Sequence, residues 1–569
     1  MAEEAVRLVE LRVLEGPNIY FPRPAIKLTL SVPGWLELSE EQAATVANRM
    51  ALSRSSRSGT PGSGQRLRFA ARAAAHLTRA LAHASETRLA VRSRPGPEAD
   101  QIVVAFPWRR RTAAEALGKE VAELVRRVPA DGTGLDELLK NAGKRLRGVD
   151  PGEAPDVPAP TIPVVAITGT NGKTTTVRLL AHIGSTAGLT VAYTSTDGVF
   201  VEGNLVEEGD YSGFLGARMA LSQPGVKLVV LETARGGILL RGIGTAHNDV
   251  AVVTNVSADH IGLHGIRTLD QLSEVKAAIT RITKPAGWDV LNADDPRVLA
   301  MRRGATGRPF LFTLDADHPA IRWAVTEGGR AMTVLEGSMV VVDRAMMVRP
   351  LVPLEEVPAT LAGVSSHHVQ NAMAAAAAAL GVGIPGDKVV AGLRTFIPDQ
   401  ERNPGRANVF DLDGRVVVVD YAHNEEGMRG LVEICRGLRP PGGEIWVSMC
   451  SAGDRAREIR VGVGYVAARG AEHVTVSELR RYLRGANPED VVGDLRAGAL
   501  DGGATDVPVF PDEVEALSWM MEKSVPGDVV AVAALSQRPE IFALLEERGG
   551  QRASPDRVRE LARAARSAT

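Results

Sequence analysis

VVAITGTNGKTTTV, running from Val164 to Val177, is the stretch from which the rest of the chain can be read. An apolar strand, Val164–Ile167, leads into a glycine-bracketed turn and then a helical stretch, Val177–Ala187. Strand, Gly-rich loop and helix start form the arrangement that phosphate binding demands. Glycines let backbone N–H groups turn inward around an anion, and the helix start adds unpaired N–H groups and a favourable dipole. The loop Gly169-Thr170-Asn171-Gly172-Lys173-Thr174-Thr175 is therefore a candidate triphosphate cradle. Lys173 is suited to neutralise the β- and γ-phosphates, and the Thr174 hydroxyl to ligate Mg²⁺. The general P-loop has four residues between its glycines, which would place the first at Ile167; here only two separate Gly169 from Gly172.

Moving outward, further apolar runs end in polar residues. Glu232 closes LVVLE, and Thr254-Asn255 closes VAVVTN with Asp259-His260 just beyond. Asn292 closes DVLN ahead of Asp294 and Asp295. Near-continuous apolar runs read as buried parallel strands covered by helices on both faces. In such a sheet the carboxyl ends share one edge, where ligands bind. Glu232 and His260 then become candidate Mg²⁺ ligands beside the triphosphate. Lys276 lies in the helical stretch Leu269–Ile282 and by itself reads as a solvated helix residue.

The chain is expected to divide into an N-terminal α+β domain (1–150), a Pro-rich linker (151–162), a central doubly wound parallel-sheet ATPase domain (163–404), a C-terminal Rossmann-like α/β domain (405–548) and a mobile, Arg/Ala-rich tail (549–569). In the first domain, Leu8–Leu14 and Ala25–Val32 read as strands around a turn. Ser53–Gly64 reads as an exposed loop, Leu67–Ala84, Ala113–Arg127 and Leu135–Leu146 as helices, and Gln101–Phe106 as a strand. No internal repeat is visible.

Composition narrows the class. With 44% hydrophobic residues, 24% charged residues and a formal net charge of −2, this is an ordinary globular chain without the basic field of a nucleic-acid or membrane-surface binder. Two cysteines, Cys435 and Cys450, give no disulfide framework and fit a reducing compartment. No signal peptide is read at the start, and Ala372–Leu380 is too short to span a bilayer. A cytoplasmic location is expected. Arg109-Arg110-Arg111 beside Trp108 reads either as a site for an acidic chain or as a solvated charge run. His76 and His83 share a helical face, but no metal-ligand spacing accompanies them.

Taken in order, GTNGKTT, the LE strand end, TNVSADH, the downstream Lys276, LNADD, HHVQNAMAA, GRANVF and VVDYAHN resemble the Mur ligase superfamily, over roughly Pro163 to Glu547. The resemblance implies ATP and Mg²⁺ as cofactors. It implies that Lys173 and Thr174 hold the triphosphate, that Glu232 and His260 ligate Mg²⁺, and that Lys276 matches a lysine carbamylated in many members, whose new carboxylate ligates a second Mg²⁺. Asn292 with Asp294 or Asp295 would match the adenine-side motif, and Asn371 the second asparagine of an HNxxN motif whose first asparagine is here His368. Arg406 would reach the γ-phosphate from the hinge, and Asp420 and His423 would come from the third domain. Val13–Tyr20 and Gly453-Asp454-Arg455 further resemble cyanophycin synthetases, although the linker leaves no room for their ATP-grasp domain.

The implied activity is ATP-dependent ligation of a carboxylate to an amine through an acyl phosphate. The expected substrates are an amino acid and a short acidic peptide or polymer. A homo-oligomer is expected, with neither nucleic acid nor membrane as partner. A poly-glutamate-type synthetase, a nucleotide-binding partner subunit of a separate ATP-grasp ligase, and an NTPase switch stand as alternatives.

Overall fold

The structure, a computed structural model, describes residues 5–52, 58–129, 134–259 and 261–567. The loop expected over Ser53–Gly64 falls partly outside them. Among the described residues the strands form three sheets.

The first sheet is antiparallel: β1 (Arg7–Leu14), β2 (Ala25–Ser31), β3 (Arg92–Pro95) and β4 (Gln101–Pro107), in the order β1-β2-β4-β3. Helices α1 (Gly64–Ala84), α2 (Arg111–Arg127) and α3 (Leu135–Arg147) share a core with it around Trp35, Phe69 and Phe106. The β1–β2 turn does not stay with this unit. Leu14, Ile19, Tyr20 and Phe21 are buried in the core of the following one. There Glu15 N donates to Arg241 O at 2.8 Å and Ile243 N to Pro17 O at 2.7 Å.

The second sheet carries β5 (Val164–Thr168), followed by α4 (Lys173–Thr186). Then come β6 (Val191–Thr194), β7 (Gly198–Val201), β8 (Asn204–Glu208), β9 (Leu228–Glu232), α5 (Arg235–Leu240), β10 (Asn248–Val253), α6 (Leu269–Lys276) and β11 (Thr283–Asn292). Strands β12 (Arg308–Phe312), β13 (Arg330–Leu335), β14 (Ser338–Asp343) and β15 (Met347–Pro353) complete the order β15-β14-β13-β12-β11-β10-β5-β9-β6-β7-β8. Strands β13 to β6 in that order run parallel, and an antiparallel hairpin extends each edge. From β5 the chain winds out to β6, returns as β9, then crosses to β10. This makes β5 the switch point at which α/β sheets bind ligands. Helix α7 (Ser366–Gly381) packs its run Ala372–Ala379 into the core beneath β10, β11 and β12. The alanine stretch is thus a buried helix whose small side chains permit close approach. Helix α6 ends at Lys276, earlier than the helical stretch expected to Ile282, and a short 3₁₀ turn follows at Thr280–Ile282.

The third sheet comprises β16 (Asn408–Leu412), β17 (Arg415–Asp420), β18 (Ile445–Met449), β19 (His473–Ser477), β20 (Val509–Phe510), β21 (Val529–Ala533) and β22 (Gln551–Arg552). Their order is β20-β19-β18-β21-β17-β16-β22, parallel except for β16, which pairs antiparallel with both β17 and β22. Helices α8 (Glu425–Leu438), α9 (Glu513–Lys523) and α10 (Arg538–Glu547) flank it. The segment from Gly549, expected to be mobile, is instead ordered as far as Ser567. It supplies β22 and a closing helix, α11 (Pro555–Ser567), which packs on α8. The reason is a stripe at i, i+3 and i+4: Val558, Leu561 and Ala562 are buried while arginines face outward.

Among the described residues, no helix is long and apolar enough to cross a membrane.

Candidate functional site

Helix α4 begins at Lys173 itself, with Gly172 as its N-cap at φ +85°. Its first N–H groups therefore open into the cleft at the end of β5. Both loop glycines are dictated by crowding. A Cβ on Gly169 would lie 1.8 Å from Thr254 Oγ1, and one on Gly172 would lie 2.1 Å from Asn371 Oδ1. The end of β10 braces the loop from behind. Asn255 Oδ1 accepts from Thr170 N at 3.1 Å and Asn171 N at 2.8 Å, and Thr254 Oγ1 donates to Asn171 O at 2.6 Å. Asn255 fixes the loop, a role that sequence reasoning did not assign although TNVS stood out.

The cleft beyond the loop has a volume of about 640 Å³. Gly169 to Thr175, Glu232, Lys276, Asn371, Arg406, Asp420 and His423 all line it, so sheet topology brings together residues spread over 250 positions of sequence. Glu232 is 2% exposed; its Oε2 accepts from Thr174 Oγ1 at 2.9 Å while Oε1 is buried without a partner. Burial raises the Glu232 carboxyl above the usual range, against the pull of Lys173. Lys173 Nζ donates to Thr170 O at 2.8 Å. Lys276 is 4% exposed, and burial, reinforced by Lys173, pushes its ammonium far below the lysine range. His260 lies outside the described residues. Among the described residues no group of three His, Cys, Asp or Glu side chains could hold a metal ion. An orphaned carboxylate oxygen beside a threonine hydroxyl nevertheless suits a hard cation that completes its shell with phosphate oxygens and water.

The far wall comes from the third sheet. Asp420 accepts from Ala407 N at 2.8 Å, and burial raises its carboxyl despite Arg406. Arg406 lies over the Tyr421 ring, 4.2 Å from its centroid. His423 Nε2 stands 3.5 Å from Asp259 Oδ2, and Asp259 Oδ1 pairs with Arg455 at 3.0 Å, tying the two sheets across the cleft. Asn171 and Asn424 exchange side-chain amide bonds of 3.2 and 3.0 Å. His368 is buried in the wall, and burial lowers its pKa to about 4.

Three expected nucleotide contacts are not in the cleft wall. Asn292 donates to Thr254 O at 2.8 Å. Asp294 accepts from Leu314 N at 2.9 Å and Gln370 Nε2 at 2.8 Å, and Asp295 caps the Pro296–Ala300 helix while accepting from Val256 N at 2.6 Å. Asn292 and Asp295 thereby brace the Thr254–Val256 segment behind the loop, and Asp294 joins the end of β12 to α7. Arg111 pairs with Glu115 and Arg110 reaches Gly152 O, so the expected basic cluster sits by the linker. Asp210, Arg235 and His264 also line the cleft, and no spacing in the sequence marked them.

Residues 167–379 match the Mur ligase middle domain and residues 405–535 the Mur ligase glutamate ligase domain. A cyanophycin synthetase of Synechocystis is 38% identical over 376 residues, 65% of this chain and 42% of that protein. That of Crocosphaera subtropica is 36% identical over 377 residues, with the same coverages of 65% and 42%. This chain thus spans about two fifths of the length of these relatives. Among solved structures, a bifunctional folylpolyglutamate synthase/dihydrofolate synthase of Yersinia pestis, complexed with AMPPNP and Mn, aligns with a TM-score of 0.51 at 20% identity, over 68% of this chain and 90% of that one.

Proposed function

The chain belongs to the Mur ligase superfamily, and from that premise we propose that it is an ATP-dependent ligase joining a carboxylate to an amine through an acyl phosphate. One observation carries the reading: Lys173, Thr174 and Glu232 meet at the mouth of the phosphate loop, with one Glu232 oxygen buried and unpartnered. Thr174 and Glu232 would hold a divalent cation, proposed to be Mg²⁺, with His260 as a further candidate ligand. Bound there, the cation would polarise the γ-phosphate.

The chain's own groups do the rest. Backbone N–H groups of Gly172 to Thr175 hold the phosphates, and Lys173 turns from Thr170 O to the γ-phosphate. Arg406 approaches it from the hinge. The substrate carboxylate attacks phosphorus, ADP leaves, and the amine displaces phosphate from the acyl carbon. Catalysis is then largely charge stabilisation and alignment. The third sheet, docked over the cleft, keeps water from the acyl phosphate.

An acidic peptide or polymer acceptor and an amino acid nucleophile form the substrate part of the proposal. A second cavity of about 410 Å³, where the first sheet meets α5 and α6, supports the acidic acceptor. Arg12, Lys27 and Arg94 face it; Glu10 pairs with the first two and Glu274 with Arg94, which leaves one positive charge in excess, and His264 lines both this cavity and the cleft. A cytoplasmic setting, which supplies ATP, agrees with the free, buried thiols of Cys435 and Cys450.

The test is phosphate release from ATP and Mg²⁺ over amino acids crossed with aspartyl and glutamyl peptides, with mass analysis of products. Lys173→Ala should abolish ligation in a folded protein. ATP hydrolysis that is indifferent to acceptors and yields no ligated product would reject the reading.

A further inference from the structure

Beside the cleft, three charged side chains from three separate elements meet at the hinge between the second and third sheets. Asp197 follows β6, Arg178 lies on α4, and Arg538 opens α10. Asp197 Oδ2 accepts from Arg178 Nη2 at 2.7 Å, and its Oδ1 accepts from Arg538 Nη2 at 2.9 Å. Each arginine turns another nitrogen onto the hinge backbone. Arg178 Nη1 donates to Arg402 O at 3.3 Å, and Arg538 Nη1 to Pro404 O at 3.2 Å.

Arg538 is itself held in place. The carboxylate of Glu513, which is fully buried, accepts from the N–H groups of Leu535, Ser536 and Gln537 at 2.8, 3.1 and 2.8 Å. Two residues past Pro404 stands Arg406, over the Tyr421 ring; Arg538 lies over the same ring at 5.9 Å. The Arg178 side chain is only 5% exposed, and Asp197 is its carboxylate partner. Removing one member of such a buried pair strands the other charge. Burial works against the Asp197 carboxylate, yet Arg538 and Arg178 hold its pKa below the usual range.

We propose that Asp197 is a positioning residue: by binding Arg178 and Arg538 together, it sets the hinge so that Arg406 enters the cleft at the phosphate end. The inference rests on the ligase reading for its kinetic readout. It differs from a purely structural role because it predicts a turnover defect without a nucleotide-binding defect.

Asp197→Asn should lower kcat for acceptor-dependent phosphate release about 10- to 100-fold, as misplacement of a reacting group does. The KM for ATP, set by the phosphate loop, should stay within about threefold. Asp197→Glu should restore part of kcat, and Arg538→Gln should reproduce the defect. The double variant should be no worse than the poorer single one, since both break one link. Should Asp197→Asn fail to fold, Arg538→Gln carries the test, its side chain being 24% exposed. Wild-type kcat in both variants, or additive losses in the double, would overturn the proposal. Small-angle scattering with a nonhydrolysable ATP analogue and Mg²⁺ separates the two readings. Wild type should contract on binding and Asp197→Asn should not. Equal contraction overturns the hinge role whether or not ligation is found, while a wild type without phosphate release indicts the ligase reading alone.

Discussion

Replacing Gly172 by alanine introduces a methyl group where the loop leaves no space. The new Cβ would lie 2.1 Å from Asn371 Oδ1 and 3.0 Å from its Cγ, where ordinary contact begins at 3.4 Å. Asn371 is 7% exposed on α7, whose next face is the buried alanine run, so it has little room to yield. The left-handed backbone, φ +85°, costs alanine about 1–2 kcal/mol. Relieving the overlap adds about 1–3 kcal/mol. A total loss of about 2–5 kcal/mol is expected if the loop keeps its place. If the loop moves instead, a shift of roughly 1 Å should lower turnover on the order of 100-fold. Calorimetric melting and titration with a nonhydrolysable ATP analogue read the two outcomes. In Gly172→Ala/Asn371→Ala the overlap disappears and the backbone penalty alone persists, so stability should recover in part. A Gly172→Ala protein that melts and binds nucleotide like wild type would refute this account of the loop.

Glu232→Gln keeps the Thr174 contact but removes the charge facing the cleft. It should lower kcat about 100- to 1000-fold with the melting temperature kept or raised, measured by phosphate release and calorimetry. His368 is held neutral by burial, its pKa falling from 6.5 to about 4. The unfolded chain binds its proton more readily, so the stability it preserves is complete above pH 6.5 and is lost as pH falls toward 4, by about 3 kcal/mol at most. His368→Asn should flatten urea-melt stability across that window, and an unchanged pH slope would count against the burial argument. Lys27→Glu should raise the KM for glutamyl peptides about 10- to 100-fold while leaving the KM for ATP alone, checked by acceptor titration. Leu561→Ala should destabilise the third sheet's unit by about 2–4 kcal/mol in denaturant, whereas a free tail would show no change.

The second and third sheets were legible because parallel strands buried on both faces are written as unbroken apolar runs, as in Leu228–Leu231 and Val529–Val532. The cleft followed from strand ends, and the resemblance added Lys276, Arg406 and His423 to it. What escaped was written in weaker signals. The edge strands β8 and β15 face solvent and lack continuous apolar runs. Helix α11 carries only three buried residues, which arginine and alanine content disguises. Asn292, Asp294 and Asp295 sit at the sheet edge as expected, but Asn292 and Asp295 turn to backbone partners and Asp294 to Leu314 N and the Gln370 side chain. That orientation depends on neighbours far away in sequence, such as Leu314 and Val256. The Asp197 network spans 360 positions from Arg178 to Arg538, and no local pattern could announce it.

The exchange of amides between Asn171 and Asn424 joins the phosphate loop directly to the opposite wall. Both groups are neutral, and water can replace each bond at a net cost of about 1 kcal/mol. Parting a buried ion pair costs several times more. A carboxamide clasp is also indifferent to ionic strength, because neither side carries a charge for salt to screen. This link can therefore open and re-form with each turnover at small cost, so the resistance to lifting the wall resides in the charged pairs, Asp259 with Arg455 and Asp197 with Arg538.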